Sequence, residues 1–185
     1  AWLAEPHDRP FFLSVGFFNT HRRFPDVPAD AADRYTATPA PLPNTARTRH
    51  DMACFAASAR ILDDCMGQVL SALDGAALAD DTLVVCTTDH GIAFPGMKCN
   101  LKQHGTGVML MLRGPGGFTG GRVCDALVSH LDVFPTICEL AGLEPPEWLQ
   151  GGSLLPLVRG EVEAIREAIY AEVNFHCTYE PLRNA

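Results

Sequence analysis

The chain has 185 residues, 47% hydrophobic and 19% charged, which is the composition of a folded globular protein and excludes intrinsic disorder. The net charge of -8 disfavours binding to nucleic acid. The longest apolar runs, 10–18 and 108–112, are shorter than the roughly 20 residues that a membrane-spanning helix needs, so we expect no transmembrane segment. Because the chain starts at Ala1 without a signal-like pattern, we expect it to begin within a longer protein.

The first half of the chain alternates between an apolar run, a polar excursion and a helical pattern. Residues 10–18 are continuously apolar and predict a buried strand. Residues 22–47 are rich in Pro, Ala, Asp and Thr without any period, and predict an irregular surface segment. From 51 to 73, apolar residues recur at spacings of three and four, which predicts an amphipathic helix ending at Gly75.

The second half begins with another strand pattern at 82–88, and further apolar runs follow at 108–112 and 123–128. A helix is predicted at about 131–140. Strand, long helix and strand in this order imply a crossover between parallel strands. The predicted fold class is therefore α/β, a mostly parallel sheet flanked by helices.

Several polar residues follow the predicted strands, where open α/β sheets collect their ligands. His21 follows the first strand, and Asp89 with His90 follows the second. From the residues alone, Asp-His-Gly is as compatible with a capped turn as with a metal site. Lys98 in the next loop is, by composition alone, most simply a solvated side chain.

Several motifs occur in an order that is more specific than any one of them. They are Leu62-Asp-Asp-Cys-Met-Gly67, Thr87-Thr-Asp-His-Gly91, Lys98 followed by Leu101, Gly105 and Arg113-Gly-Pro-Gly116, and the run Val128–Thr136. This series resembles the sulfatase family of metal-dependent sulfuric ester hydrolases, nearest to the heparan N-sulfatase and iduronate sulfatase members. The resemblance implies an alkaline phosphatase-like partial domain, with 1–160 as the carboxy-terminal part of the catalytic domain and 161–185 as the start of a further region.

The resemblance also implies roles for the residues at the strand ends. Asp89 and His90 would be ligands of calcium, or less often magnesium. His90 is a poorer ligand than an asparagine for such a hard cation, so it would bind through nitrogen or act behind the ligands. His21 would be the general acid that protonates the leaving group, and Lys98 would stabilise charge developing on the sulfate.

The expected substrate is a sulfated small molecule or saccharide. His104 stands where many family members have a different side chain, so it bears on substrate identity. His176 and Arg183 are further candidate substrate-binding residues, although a structural salt bridge explains Arg183 equally well. Family members are commonly exported or lysosomal, which implies an extracytoplasmic location.

The family's nucleophile motif is not in this sequence. Sulfatases use a formylglycine made from the Cys or Ser of C/S-x-P-x-R, and no cysteine or serine of this chain has that context. We therefore expect the nucleophile and the first acidic metal ligands upstream, and the isolated chain to be inactive. The alternatives are a phosphate or phosphonate ester hydrolase of the alkaline phosphatase superfamily, or a non-catalytic binding homologue.

The remaining cysteines and histidines carry no predicted role. The seven cysteines are scattered singly, with no C-x-x-C pair of the kind that builds zinc sites, and are predicted to be buried apolar side chains. His7, His50 and His130 have no partner that the sequence identifies, and are predicted to be surface or core residues.

Overall fold

A computed structural model describes residues 2–28 and 36–173, and the backbone of two short strands at Phe175–His176 and Thr178–Tyr179. The chain divides into two compact units. The described residues of Ala1–Ala79 and Gly91–Lys98 form the first unit. The described residues of Asp80–His90 and Cys99–Ala185 form the second unit.

The first unit is built on one long helix, α1, which spans Ala46–Gly75. The side chain of Thr45 caps its first turn by accepting a hydrogen bond from the Thr48 amide, and the Thr48 hydroxyl accepts from the Thr45 amide in return. This capping box fixes where the helix begins. The helix predicted from spacing at 51–73 is confirmed, and Gly75 is its last residue.

The predicted strand at 10–18 does not form in the structure. Phe12 is 84% exposed and Phe18 is 76% exposed, so the segment is not buried either. A strand needs a partner to satisfy its backbone hydrogen bonds, and the structure pairs no described strand with this segment. An apolar run shows where a strand is favoured, but a strand forms only where a second strand is available to pair with it.

The second unit contains a two-stranded sheet. Strand β1, Val84–Thr87, pairs with β2, Leu110–Arg113, so that Val84 lies opposite Arg113. Both strands were predicted, but they pair antiparallel, and a parallel pairing is not found among the described strands. The helical part of their connection is the one-turn helix α2, Gln103–Thr106, which is shorter than the crossover helix that parallel strands require.

Further short elements complete the second unit. Helix α3 spans Val133–Leu140, which confirms the predicted helix at 131–140. Three other elements were not predicted from the sequence: helix α4, Leu155–Arg159, and the strands β3, Phe175–His176, and β4, Thr178–Tyr179. Of the helices in the described residues, none is long and apolar enough to cross a membrane.

A buried carboxylate organises the second unit. Asp132 has no exposed surface, and it accepts hydrogen bonds from the amides of Ser129 at 2.6 Å and Gly152 at 2.9 Å and from both terminal nitrogens of Arg166. Burial acts to raise the pKa of Asp132, but the hydrogen bonds from Arg166, Gly152 and Ser129 together lower it. The Thr136 hydroxyl donates to the Asp132 carbonyl at 2.6 Å and accepts from the Leu154 amide at 2.9 Å. Asp132 therefore ties together three separate stretches of chain.

Candidate functional site

Asp89 and His90 lie directly after β1, as the sequence predicted. Asp89 Oδ1 accepts a hydrogen bond from the His90 amide at 3.1 Å, and Asp89 Oδ2 lies 3.4 Å from His90 Nε2. Asp89 is exposed and His90 is half-buried. The two side chains thus present a carboxylate and an imidazole together at the end of a strand.

The end of β1 is held in place by a small polar network. The Thr87 hydroxyl donates to the Met109 carbonyl at 2.8 Å and lies 2.7 Å from His130 Nε2. Because a hydroxyl has one proton, His130 Nε2 is the donor in the second bond. The Thr88 hydroxyl accepts from the Met109 amide at 3.3 Å. His130, for which the sequence showed no partner, therefore helps to position the segment that carries Asp89.

The Asp89–His90 pair fits part of a calcium site. Calcium takes about six to eight oxygen ligands, and this pair offers one carboxylate and one imidazole. The carboxylate is exposed, so it is accessible to an ion and to further ligands. The pair therefore fits calcium only if other groups complete the coordination.

Cys86 on β1 is the cysteine nearest in sequence to this pair. Burial raises the pKa of the Cys86 thiol, so this side chain is neutral at neutral pH. A neutral thiol is a weak nucleophile. Cys86 is therefore not a substitute for the nucleophile motif that the sequence lacks.

His21 lies in a turn of the first unit. Its amide donates to the Phe18 carbonyl at 2.9 Å, and its ring packs against the Phe18 ring with centroids 5.0 Å apart. Nδ1 lies 3.2 Å from the Arg22 carbonyl oxygen, which can only accept, so Nδ1 carries the proton in that contact. The side chain is exposed, which leaves Nε2 to face a reacting group.

Arg22, next to His21, connects three parts of the first unit. Its terminal nitrogens bind both carboxylate oxygens of Asp51 on α1, at 2.9 and 2.6 Å, and Nε donates to the Ala93 carbonyl at 2.9 Å. Its guanidinium lies over the rings of Phe24 and Phe94, 5.1 and 4.9 Å from their centroids. The hydrogen bond to Asp51 raises the pKa of Arg22. Arg22 thereby fixes the turn of His21 relative to the loop 91–98.

Apolar side chains anchor the segment 91–98 of that loop. Met97 is completely buried, and its amide donates to the Phe94 carbonyl at 3.1 Å. Phe94 packs against Phe24 and Phe55, with centroids 6.0 and 5.7 Å away. Lys98 itself is half-buried, which distinguishes it from a freely solvated lysine. The structure therefore places Lys98 on a fixed loop that Arg22 joins to the turn of His21.

The predicted catalytic and metal-binding residues belong to different units. His21 and Lys98 are in the first unit, and Asp89 and His90 are in the second. Within the first unit, Arg22 follows His21 in the chain and donates a hydrogen bond to the carbonyl of Ala93, five residues before Lys98. The convergence of all four side chains on one reacting centre stays a prediction.

The predicted substrate-binding residues are less well placed. His104 is exposed on α2. The side chain of His176 and the whole of Arg183 lie outside the described residues. Their roles stay predictions.

Residues 1–143 match the family model described as Sulfatase. The chain belongs to the sulfatase family. It is 31% identical to the N-sulphoglucosamine sulphohydrolase of Homo sapiens, over 95% of this chain and 41% of that protein. The sulfatase chain therefore spans less than half the length of this relative.

Solved structures support the same assignment. A 2-O GAG sulfatase is 30% identical, with a TM-score of 0.59 over 71% of the sulfatase chain and 30% of its own. A phosphonate monoester hydrolase from Silicibacter pomeroyi is 26% identical, with a TM-score of 0.55 over 77% and 29% of the two chains. The α/β, alkaline phosphatase-like fold class is therefore confirmed, with this chain as a partial domain.

Proposed function

We propose that the protein containing this chain hydrolyses sulfate esters or sulfamates, with His21 and Lys98 as catalytic residues and Asp89 and His90 as metal-binding residues. The observation that carries the proposal is the sulfatase match over residues 1–143, because this range contains all four side chains. The Arg22 contacts support the pairing of His21 with Lys98, and the position after β1 supports Asp89 and His90.

His21 protonates the leaving alcohol or amine. Its Nδ1–H is directed to the Arg22 carbonyl, so Nε2 is the nitrogen that gives up a proton when the ring is protonated. An imidazole can carry and give up a proton, which suits a general acid. The hydrogen bond from the His21 amide to the Phe18 carbonyl fixes the backbone turn from which the ring extends.

Lys98 stabilises the negative charge that develops on sulfate and on the leaving oxygen. A fixed cation is effective because no reorganisation is needed when the charge appears. The neighbouring Met97 is completely buried, which anchors the backbone from which the Lys98 side chain extends.

Asp89 would be an oxygen ligand of a calcium ion, with magnesium as the alternative, and His90 would bind through nitrogen or act behind the ligands. Further oxygen ligands would come from outside the described residues. When bound, the ion withdraws charge from a sulfate oxygen. A formylglycine in the remainder of the protein would supply the covalent sulfur acceptor.

The proposed substrate is a sulfated saccharide or a related sulfated small molecule. The similarity to the human N-sulphoglucosamine sulphohydrolase and to the 2-O GAG sulfatase supports this class of substrate. His104, His176 and Arg183 are proposed to contact it. The proposed compartment is extracytoplasmic, on the basis of family membership.

The rival activity is hydrolysis of phosphate or phosphonate esters. The likeness to a phosphonate monoester hydrolase favours this alternative, because the two classes share the fold. Assays of the full-length protein with matched aryl sulfate, aryl phosphate and aryl phosphonate substrates separate the two activities. A preference for the phosphorus esters would contradict the proposal.

Lys98→Ala in the full-length protein tests the mechanism. We expect a loss of turnover on an aryl sulfate of about 100- to 1000-fold, the effect of removing one contact to a developing oxyanion. The matched control is Lys102→Ala, since Lys102 is the other lysine of the chain and is exposed. Equal activity of the two variants would exclude Lys98 from the site.

The 185-residue chain alone is expected to release no sulfate. It contains no C/S-x-P-x-R motif, so a formylglycine cannot be made in it. Metal-dependent sulfate release by the purified chain would show that the nucleophile has been misassigned. A non-catalytic homologue would instead leave the full-length protein inactive while it still binds a sulfated saccharide.

A further inference from the structure

Three side chains of the first unit form a cluster that the sulfatase reaction does not use. Asp26, His50 and Cys54 each offer one potential ligand atom, and these three atoms lie within 4.8 Å of one another. His50 Nε2 lies 3.4 Å from Asp26 Oδ1 and 3.6 Å from Cys54 Sγ. From these distances and this set of donors we propose that Asp26, His50 and Cys54 form a binding site for a zinc ion.

The separations agree with those of a tetrahedral zinc site. Bond lengths of about 2.3 Å to sulfur and about 2.0 Å to nitrogen and oxygen place sulfur and nitrogen about 3.5 Å apart, and nitrogen and oxygen about 3.3 Å apart. The two measured edges through His50 differ from these values by 0.1 Å or less. The third edge, between Asp26 and Cys54, is at most 4.8 Å.

Hydrogen bonding does not account for the cluster equally well. The contact of 3.4 Å between His50 Nε2 and Asp26 is longer than a good N–H···O bond, which is about 2.7 to 3.2 Å. The same nitrogen faces both neighbours, so a single Nε2–H would have to be shared between the carboxylate and the sulfur, which is a weak acceptor. A cation between the three groups satisfies all of them.

The scaffold holds the ligands in place before metal binds. His50 and Cys54 are four residues apart on α1 and therefore share one face of a long helix. Asp26 is 95% exposed, but its segment is fixed two and four residues earlier: Phe24 packs on Phe55 at 5.5 Å, and Arg22 binds Asp51. Preorganised ligands lose less entropy when they bind an ion.

The donor set selects the metal. A thiolate and an imidazole suit zinc and are poor ligands for calcium or magnesium, which prefer oxygen. The thiolate and the carboxylate together balance the charge of a divalent ion. With three protein ligands and an exposed Asp26, the fourth position is open to water, so the ion is more exchangeable than in a site closed by four side chains.

The experiment titrates the purified 185-residue chain with Zn²⁺ by calorimetry, and with Co²⁺ by visible spectroscopy, which detects a thiolate–metal charge-transfer band. We expect one equivalent of metal per chain. Cys54→Ser should lower the affinity by at least about 100-fold, since loss of even an outer-shell partner costs 10- to 100-fold, and should abolish the charge-transfer band. The affinity for metal should decrease as the pH is lowered, because the thiol and the imidazole must lose protons to bind.

Two controls on the same helix keep the test specific. Cys65→Ser and Asp63→Asn remove a thiol and a carboxylate of α1 outside the cluster, and both should bind metal like the parent chain. Because Cys54 is buried, Cys54→Ser can also affect folding, so Asp26→Asn provides a second variant at an exposed position. Absence of stoichiometric binding, or the same affinity in Cys54→Ser and Asp26→Asn as in the parent chain, would overturn the proposal.

Discussion

Each unit of this sulfatase chain contains an arginine that binds an aspartate through two nitrogens, and the two pairs differ in their surroundings. In the first unit, the side chains of Arg22 and Asp51 are 42% and 35% exposed. In the second unit, those of Arg166 and Asp132 are 19% and 0% exposed. The arginine–aspartate pair is therefore partly exposed to solvent in the first unit and largely buried in the second.

The difference in burial decides what each pair contributes. An exposed pair is worth about 0 to 1 kcal/mol, because water competes with it and salt screens it. Breaking a buried pair leaves a charge without a partner in a region that water does not reach, which costs about 3 to 5 kcal/mol. Arg22 thus positions a turn next to a catalytic candidate, whereas Arg166 contributes to the stability of the second unit.

The largest expected effect is that of Arg166→Met, which leaves the carboxylate of Asp132 buried without its cation. We expect the free energy of unfolding of the second unit to fall by about 3 to 5 kcal/mol. Urea denaturation, with hydrogen exchange to assign the loss to peptides of the second unit, measures it. Arg159→Met is the matched control, because Arg159 forms an exposed pair with Glu139 at 3.3 Å, and it should cost less than about 1 kcal/mol.

Acid should weaken the same pair. The pKa of Asp132 is lower in the folded state than the usual value of about 3.9, so its stabilisation is complete above that pH and is lost as the pH falls through the folded-state pKa. Stability of the second unit, followed by hydrogen exchange from pH 6 downwards, should therefore decline in the acid range. The Arg166→Met variant should lack this component. A pH dependence that is identical in both proteins would contradict the assignment.

The backbone around Asp132 should be sensitive to a single methyl group. A Cβ added at Gly151 would lie 2.0 Å from the Leu131 carbonyl oxygen. Gly151→Ala must therefore displace the backbone of 151–152, whose Gly152 amide donates a hydrogen bond to Asp132. We expect a loss of about 1 to 3 kcal/mol in thermal or urea unfolding. The neighbouring Gly152→Ala has no atom within 4 Å of the added Cβ and should change stability by less than about 1 kcal/mol.

The smallest expected effect is that of Arg22→Met. Loss of the exposed pair with Asp51 should lower stability by about 1 kcal/mol or less, and the difference from the parent chain should shrink further at high salt. Melting temperatures of the parent chain and of Arg22→Met in low and high sodium chloride measure the loss of stability and its dependence on salt. If Arg22→Met were as damaging as Arg166→Met, the contrast between the two pairs would be wrong.

Local patterns predicted the elements whose own sequence determines them. The spacing of apolar residues identified α1, and short apolar runs identified β1 and β2. The strand at 10–18 and the parallel pairing were not found, because both depend on which other segment supplies hydrogen bonds. Hydrophobicity shows that a segment favours burial but does not identify its partner.

The site shows the same division. The position of Asp89 and His90 after a strand followed from the sequence, because it depends on neighbouring residues. The partners of Arg22, His130 and His50 did not, because Asp51, Thr87 and Asp26 lie between 24 and 43 residues away in the chain. Side-chain pairs at such separations leave no periodic signal in one sequence.

The small sheet has a consequence for handling the isolated chain. In the described residues, β1 and β2 form a ladder of only two strands, so each has one edge without a strand beside it. Unpaired edges accept strands from other molecules, which promotes aggregation as the protein concentration rises. Met111 on β2 is 51% exposed and lies on the more exposed face of the strand. Met111→Lys would therefore add a charge to the exposed face of the sheet, and we expect it to reduce aggregation of the recombinant chain.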